Sequence, residues 1–196
     1  MENNYKSVLR EPFFEPILRK IRFKKVLPYL SNINYVCDIG CGCSAYFLNK
    51  ISNRIKKGIG LDKNITSRQI GNIELLAFEF VNKLPFGDNY FDLVTMLAVL
   101  EHIENPDDMF KEIYRVLKPN GHLILTTPTP RAKPVLEFLS FKLKLIDKRE
   151  ILDHKRYWNK NELINLLIDK KFKILKYSFF EFGLNSFIAA RKILSN

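Results

Sequence analysis

The sequence predicts an α/β domain with a mainly parallel sheet, on two observations. Short apolar runs of strand length alternate with longer segments whose apolar residues recur at helical spacing. The first apolar run also ends in a glycine turn, Gly40-Cys41-Gly42, which is typical of the first strand of an open parallel sheet. Together these observations favour strands joined by helical crossovers over an all-α or all-β fold.

The first half of the chain is expected to begin with a helix. Residues 13–30 place Phe14, Ile17, Leu18 and Ile21 at helical spacing, and Pro28 ends the segment. The segments after it are apolar and are separated by turn residues such as those of the loop at 84–89. In chain order they are a strand at 34–38, a helix at 45–55, and strands at 58–62, 73–80 and 91–96.

A helix is expected to open the second half at Pro106, because proline fits the first turn and the following acidic residues suit the positive end of the helix dipole. The turn at residues 118–121 predicts its end, and a fifth strand follows at 122–127. Asn159 and Glu162 form a capping-box pattern at the start of a helix over 159–171. The last strands, at 172–179 and 186–190, have no helix between them and are expected to pair antiparallel.

Composition points to one packed domain over residues 1–196. The chain has 32 Lys+Arg against 21 Asp+Glu, a net charge of +11, and 46% hydrophobic residues, so disorder is disfavoured. The N-terminus lacks the apolar region of a signal peptide, and the uncharged run at 93–100 is too short to cross a bilayer, so a cytoplasmic location is expected. The basic residues are spread along the chain, which favours solvated faces over a nucleic-acid surface.

The three cysteines do not predict a metal site. Cys37, Cys41 and Cys43 follow a C-x3-C-x-C pattern that is not typical of zinc, and no histidine lies near them in the sequence. We therefore expect buried or loop thiols and no metal.

Acidic and glycine residues after the first two strands predict a nucleoside-containing ligand. Asp38 and the glycine turn close the first strand, and Asp62 ends the second, 22 residues after Gly40. A carboxylate at that position accepts hydrogen bonds from both hydroxyls of a ribose. Gly40-x-Gly42-x-x-Ala45 also fits the loose dinucleotide fingerprint, so a nicotinamide oxidoreductase is an alternative at this point.

Six features in chain order resemble the motifs of class I S-adenosylmethionine-dependent methyltransferases. Residues 36–42 resemble motif I, and Asp62 stands where that family has an acidic residue after the second strand. The other four are LPFGDNYFD at 84–92, VLEHI at 99–103, RVLKPNGHL at 115–123, and the helix segment at 154–167. The resemblance is to the small-molecule, type 11-like group, which includes quinone-ring methyltransferases. It implies a Rossmann-like seven-stranded sheet of order 3-2-1-4-5-7-6 with strand 7 antiparallel, flanked by helices.

The resemblance also implies S-adenosyl-L-methionine as cofactor and a set of residues around it. Asp62 would hold the ribose diol, with Lys63 beside it against the adenine, and either Glu79 or Asn82 would supply a further adenine contact. The residues that would line the methionine and ribose portions are Asp38, Gly40, Cys41 and Gly42, with Leu97 near the methionine. The chain departs from the family at the third glycine of motif I, where it has Ser44.

Methyl transfer from a sulfonium is an in-line displacement, so a base is needed only for an acceptor such as a hydroxyl or an acidic carbon. Histidine suits that role near neutral pH. His102, His154 and Tyr157 are the candidate catalytic residues, whereas His122 lies at the start of the fifth strand and is expected to be structural.

Residues 128–158 interrupt the regular alternation and are expected to form a lid or acceptor-side insertion. A helix packed on the sheet is the alternative for this stretch. The mixture of apolar residues with Lys and Arg at 135–149 predicts contact with an acidic acceptor or a membrane surface.

The resulting prediction is methyl transfer to a small-molecule, sugar or lipid-like acceptor. An RNA methyltransferase is one alternative, weakened because Thr95-Met96-Leu97-Ala98 stands where amine-methylating enzymes carry an [ND]-P-P-[YFW] motif. A cofactor-binding protein without transferase activity is another. A nicotinamide oxidoreductase would leave the later motifs unexplained. The oligomeric state stays open.

Overall fold

The fold is a sheet flanked by helices, seen in a computed structural model that describes residues 15–139 and 153–193. Within these residues eight strands pair in the order β3-β4-β2-β1-β5-β6-β8-β7. The strands are β1 (Tyr35–Ile39), β2 (Lys57–Asp62), β3 (Arg68–Ile70), β4 (Ile73–Ala77), β5 (Phe91–Leu97), β6 (Leu117–Pro128), β7 (Phe172–Phe180) and β8 (Asn185–Lys192). The helices are α1 (Glu15–Val26), α2 (Tyr46–Ile51), α3 (Pro106–Val116), α4 (Ala132–Glu137) and α5 (Lys160–Asp169).

The predicted topology is confirmed. Without β3, the observed order is 3-2-1-4-5-7-6 in the numbering of the predicted strands, and β8 runs antiparallel to both β6 and β7. The additional strand β3 pairs antiparallel with the outer edge of β4. It has three exposed residues and no apolar alternation, which is why the sequence did not predict it.

Several predicted boundaries were wrong by a few residues. The strand predicted at 73–80 ends at Ala77, and the helix predicted at 45–55 is α2 followed by a 3-10 turn at Ser52–Arg54. The turn predicted at 118–121 lies inside β6, because Leu117 already pairs with Phe91 before the register shifts. The helix predicted at 13–30 is α1 and a 3-10 turn, and α4 lies inside the segment 128–158 that was expected to form a lid or a packed helix.

The core lies on both faces of the sheet, because the inner strands are covered on each side. One face packs against Phe110 of α3 and Leu163 of α5, and the opposite face packs against Leu48 of α2 and Val26 of α1. Successive residues of β5 point to opposite faces. Val94 packs on the α3 and α5 face, and Leu93 packs on the α1 and α2 face. This double burial explains why the inner strands are continuous apolar runs.

Residues of the motifs at 84–92 and 115–123 stabilise the fold through hydrogen bonds and an ion pair. Arg115 donates hydrogen bonds to the carbonyl oxygens of Leu84 and Phe86 and to the Asp88 carboxylate, so it ties α3 to the loop before β5. Lys118 pairs with Asp92 at 2.7 Å. The second carboxylate oxygen of Asp92 accepts from the backbone at the start of β1, so these motif residues hold strands in register.

None of the helices in the described parts of the chain has the length and apolar character that a membrane-spanning segment requires.

Candidate active site

The carboxyl ends of the parallel strands place the predicted cofactor residues at one edge of the sheet. β1 pairs with β2 on one side and with β5 on the other, so the strand order reverses at β1. Ligands of open α/β sheets bind outside the carboxyl ends at such a point. Asp38, the glycine turn, Asp62 and Leu97 all lie at these strand ends.

The glycine turn after β1 is held by backbone contacts that exclude side chains. The amides of Gly40 and Cys41 both donate to the carbonyl oxygen of Leu61, at 2.7 and 3.1 Å. Gly40 has a φ of +74°, and a Cβ there would lie 2.2 Å from Cγ2 of Val99. Gly42 also has a positive φ, of +65°, but a Cβ there would meet no atom within 4 Å. The turn is therefore packed at Gly40 and open at Gly42, where a ligand can approach the backbone closely.

The Asp62 carboxylate is oriented by two backbone amides. Its Oδ2 accepts from the amide of Gly42 at 3.0 Å, and its Oδ1 accepts from the amide of Asn64 at 2.8 Å. A carboxylate has about four acceptor positions, so acceptor capacity is left for a diol. Asp62 thus orders the turn at the end of β2 and keeps the acceptor chemistry needed for ribose binding.

Asp38 is buried beside β5 and has an unusual pKa. Its side chain is 3% exposed, and Oδ1 accepts from the Thr95 hydroxyl at 2.6 Å. Burial raises the pKa of Asp38 to about 7, against the opposing effect of the Thr95 hydrogen bond, and the charge of Asp62 adds to the rise. A cationic ligand nearby would favour the ionised carboxylate, which suits the ammonium and sulfonium groups of the expected cofactor.

The other predicted cofactor residues lie around this centre. Cys41 is buried against Gly60, where a Cβ would come within 2.7 Å of its Sγ. Leu97 is partly buried and packs against the core cluster on the α2 face. Lys63, Glu79 and Asn82 are exposed on the loops after β2 and β4. Both candidates for the adenine contact therefore stay predictions.

Sequence reasoning missed two arginines that contact the motif I loop. Arg19 of α1 donates to the Ser44 hydroxyl at 3.0 Å, and Arg68 of β3 donates to the carbonyl oxygen of Cys43 at 2.6 Å. Both arginines are 25 residues from their partners and belong to no motif, so the sequence carries no indication of these contacts. Ser44, which replaces a family glycine, thus accepts a hydrogen bond that glycine would not.

The three candidate catalytic residues form a cluster at the same edge of the sheet. The rings of His102 and His154 lie 4.9 Å apart between centroids, and His154 Nδ1 lies 3.0 Å from the Tyr157 hydroxyl. Burial and, to a smaller extent, the charge of His102 lower the pKa of His154 to about 4 against the opposing charge of Asp153, so His154 is neutral at pH 7. Burial raises the pKa of Tyr157.

Sequence reasoning did not predict that Glu101, Asp153 and Thr127 join this cluster. The buried Glu101 carboxylate accepts from the Thr127 hydroxyl at 3.1 Å, and Asp153 Oδ2 lies 3.0 Å from His102 Nδ1. Burial raises the pKa of Glu101. The amide of Lys155 donates to the carbonyl oxygen of Glu101 at 2.8 Å, which holds the two segments together.

His122 lies apart from this cluster, as its predicted structural role requires. It pairs with Leu93 on the amino-terminal side of β5, and its ring lies 6.3 Å from that of Tyr29. Burial lowers its pKa.

The described part of the predicted lid borders a surface cavity. Residues 140–152 lie outside the described residues, so most of the basic and apolar stretch at 135–149 does too. The cavity has a volume of about 230 Å³, and its lining includes Thr129, Arg131, Trp158, Phe179 and Gly183. Residues at both ends of the predicted lid therefore contribute to one concave surface.

Comparison with known proteins finds a family match over part of the chain. Residues 37–125 match the family described as "Methyltransferase domain". This segment spans 89 of the 196 residues, and over it the chain is similar to the methyltransferase-domain family. The resemblance to class I methyltransferases of the type 11 group that the motifs predicted is confirmed over this segment, whereas methyl transfer by this chain and S-adenosylmethionine as its cofactor stay predictions.

Among curated relatives, the chain is similar to ubiquinone/menaquinone biosynthesis C-methyltransferases. It is 35% identical over 88 residues to the protein of Vibrio cholerae, covering 45% of this chain and 32% of that protein. It is 39% identical over 88 residues to the protein of Neisseria meningitidis, covering 43% of this chain and 35% of that protein. The chain thus matches about a third of the length of these relatives.

Solved structures share the fold over most of the chain. An S-adenosylmethionine-dependent methyltransferase of Mesorhizobium loti superposes with a TM-score of 0.68 at 16% identity, covering 89% of this chain and 98% of that one. A putative methyltransferase of Haloferax volcanii, solved in complex with the Trm112 methyltransferase activator, gives 0.68 at 16% identity, covering 93% and 99%. At these identities the likeness shows the fold, and the roles of individual residues stay predictions.

Proposed function

We propose that this protein binds S-adenosylmethionine at the carboxyl edge of its sheet and transfers the methyl group to a small-molecule acceptor. One observation carries the proposal: two carboxylates, Asp38 and Asp62, flank a glycine turn that is open at Gly42. The curated relatives named as quinone C-methyltransferases support a small-molecule acceptor, which includes sugars and lipid-like compounds.

The residues present fit this cofactor. The oriented Asp62 carboxylate would accept from the ribose diol, and Lys63 with Glu79 or Asn82 would lie toward the adenine. Asp38, Cys41 and Leu97 would lie toward the methionine, where the ionised Asp38 carboxylate would balance positive charge. When bound, S-adenosylmethionine supplies a methyl group that is already activated by the sulfonium.

The chain's own task in this reaction is to position the acceptor and exclude water. We propose residues 128–158 as the acceptor-side segment of a single domain, supported by the hydrogen bond that holds Lys155 to Glu101 and by the position of His154 beside His102. His154 is neutral at pH 7 and hydrogen-bonds to Tyr157, so this pair would orient a hydroxyl or carbonyl group of the acceptor. A group with a pKa of about 4 is a weak general base, which favours an orienting role.

The cofactor assignment is tested by thermal stabilisation and by one substitution. S-adenosylmethionine and S-adenosylhomocysteine are expected to raise the melting temperature of the chain, and NAD is not. Asp62→Ala is expected to weaken S-adenosylmethionine binding at least tenfold in calorimetry, because the ribose acceptor is lost. Wild-type affinity in Asp62→Ala would show that the ribose assignment is wrong. Stabilisation by NAD alone would support the dinucleotide alternative.

A further inference from the structure

Three side chains that commonly bind metals meet where the segment before α5 packs against the turn after β5. Glu101 and His102 belong to the 3-10 turn Leu100–His102, and His154 belongs to the segment that leads to α5. One donor atom from each of the three lies within 4.8 Å of a donor atom of each of the others. We propose that Glu101, His102 and His154 form a binding site for a first-row divalent transition-metal ion such as Zn²⁺.

The distances suit closure around an ion with small side-chain movements. Zinc bonds to nitrogen and oxygen are about 2.0–2.2 Å long, so two donors on one tetrahedral ion lie about 3.4 Å apart. Donors within 4.8 Å therefore need to approach by about 1.4 Å at most. The backbone already holds the two segments together, because the amide of Lys155 donates to the carbonyl oxygen of Glu101.

Each proposed ligand has a second hydrogen-bond partner, as metal ligands in proteins commonly do. His102 Nδ1 lies 3.0 Å from the Asp153 carboxylate, which is the carboxylate–histidine arrangement found behind many zinc ligands. His154 Nδ1 lies 3.0 Å from the Tyr157 hydroxyl, and Thr127 donates to Glu101 Oε2. These contacts fix the Nδ1 side of both rings and leave Nε2 of each as the nitrogen for an ion.

The burial of Glu101 is a separate observation in favour of a cation. Its side chain is 2% exposed, and a buried carboxylate is costly unless it is paired with a positive charge or coordinates a metal. The Thr127 hydroxyl supplies a hydrogen bond without a charge, and positive charge acts on the carboxylate only from the side chains of His102 and Arg22 among the causes that shift its pKa. His102 is 29% exposed, which provides a route from solvent to the proposed site.

The donor set determines the class of ion. Two imidazoles and one carboxylate suit Zn²⁺, Co²⁺ and Fe²⁺, whereas Mg²⁺ and Ca²⁺ prefer oxygen donors. Three protein ligands leave a fourth position for water or for an oxygen atom of the acceptor, as in catalytic zinc sites. The sequence did not predict this site, because 51 residues separate His102 from Asp153 and the expectation of no metal rested on the cysteines.

The test uses the full chain carrying Cys43→Ser, which removes the exposed thiol as a competing ligand. After treatment with EDTA and desalting, Zn²⁺ binding is measured by calorimetry and Co²⁺ binding by visible absorption. One equivalent of each ion is expected to bind, and Mg²⁺ is expected not to compete. His102→Gln and His154→Gln are expected to weaken Zn²⁺ binding by more than about a hundredfold, and Asp153→Asn by about 10- to 100-fold.

His122→Gln is the matched control, because it removes a half-buried histidine at the far end of the sheet and is expected to leave Zn²⁺ affinity unchanged. The cooperative thermal unfolding of each variant reports whether it folds, and stabilisation by S-adenosylmethionine, measured on the same variants, tests the cofactor proposal separately. The proposal is overturned if no Zn²⁺ binds at about 100 μM. It is also overturned if His102→Gln and His154→Gln both bind Zn²⁺ with the affinity of the parent, or if Asp153→Asn does. Zn²⁺ binding without S-adenosylmethionine binding would support the metal site and contradict the cofactor proposal alone.

Discussion

Replacing Asp38 with asparagine should change how cofactor affinity depends on pH. Asp38 is buried with the Thr95 hydroxyl as its hydrogen-bond partner, and burial raises its pKa to about 7. The proposed cofactor carries positive charge toward this carboxyl, so binding favours the ionised form. The affinity of the wild-type chain should therefore increase as the pH rises through 7, and asparagine, which does not titrate, should remove that part of the increase.

The size of the effect follows from the fraction of the chain that is competent to bind. With a pKa of about 7, roughly a tenth of Asp38 is ionised at pH 6 and roughly nine-tenths at pH 8. The apparent dissociation constant equals the intrinsic one divided by that fraction. Affinity should thus rise about tenfold between pH 6 and pH 8 on account of Asp38 alone.

The assay is titration calorimetry with S-adenosylmethionine at pH 6, 7 and 8 at constant ionic strength. The α-amino group of the cofactor titrates near pH 8, so the informative quantity is the ratio of wild-type to Asp38→Asn affinity at each pH. This ratio should increase about tenfold across the range. Thr95→Val removes a hydrogen bond that lowers the pKa of Asp38, and should move the increase to higher pH. A ratio that stays constant from pH 6 to 8 would refute the assignment of Asp38 beside the cationic part of the cofactor.

Three further predictions concern stability, each measured by urea denaturation without cofactor. The pKa of Asp38, about 7 against an ordinary 3.8, means that the folded chain binds this proton more tightly than the unfolded chain. The free energy of unfolding should therefore fall by about 4 kcal/mol in total as the pH rises from 4 to above 7. Asp38→Asn should make the free energy of unfolding depend less on pH, and the same pH dependence in Asp38→Asn as in the wild type would contradict the pKa of about 7. Gly42→Ala should lower the free energy of unfolding by about 1–2 kcal/mol, because an alanine is strained at this positive φ. Gly40→Ala should lower it by clearly more, because its Cβ would also lie 2.2 Å from Cγ2 of Val99. Equal losses of stability in the two variants would contradict the packing at Gly40. Asn159→Ala should cost about 1 kcal/mol, since both capping-box hydrogen bonds are present, and a change below 0.3 kcal/mol would show that the cap is not stabilising.

The sheet was predictable because its inner strands are buried on both faces. β1 and β5 are nearly continuous apolar runs bounded by turn residues, and such runs are visible in a sequence. β3 is exposed at the edge and consists of Arg68-Gln69-Ile70, so its pairing depends on β4 and not on its own pattern. The start of β6 was predicted too late in the chain for a similar reason. Lys118-Pro119 is a turn pattern in the sequence, whereas the strand begins at Leu117 because Leu117 pairs with Phe91.

The candidate site was predictable where its residues are close in sequence. Asp38 and the glycines belong to one short motif, and Asp62 follows at a spacing set by one helix and one strand. The contacts of Arg19 and Arg68 with the motif I loop join segments 25 residues apart and could not be predicted from local pattern. The meeting of His154 with Glu101 likewise depends on how the segment before α5 packs on the turn after β5.

Family motifs in this chain serve two physically different purposes. Asp38 and Asp62 lie at the carboxyl edge, where their charges face the proposed ligand. Arg115 and Asp92 belong to equally recognisable motifs, yet their hydrogen bonds go to the backbone and to charged side chains of neighbouring loops, strands and helices. Substitution of the first pair should change cofactor affinity and its pH dependence, whereas substitution of the second should lower stability and leave the affinity of the remaining folded protein unchanged. A motif match therefore indicates a family resemblance, and the position of a residue relative to the strand ends predicts whether it contacts the ligand.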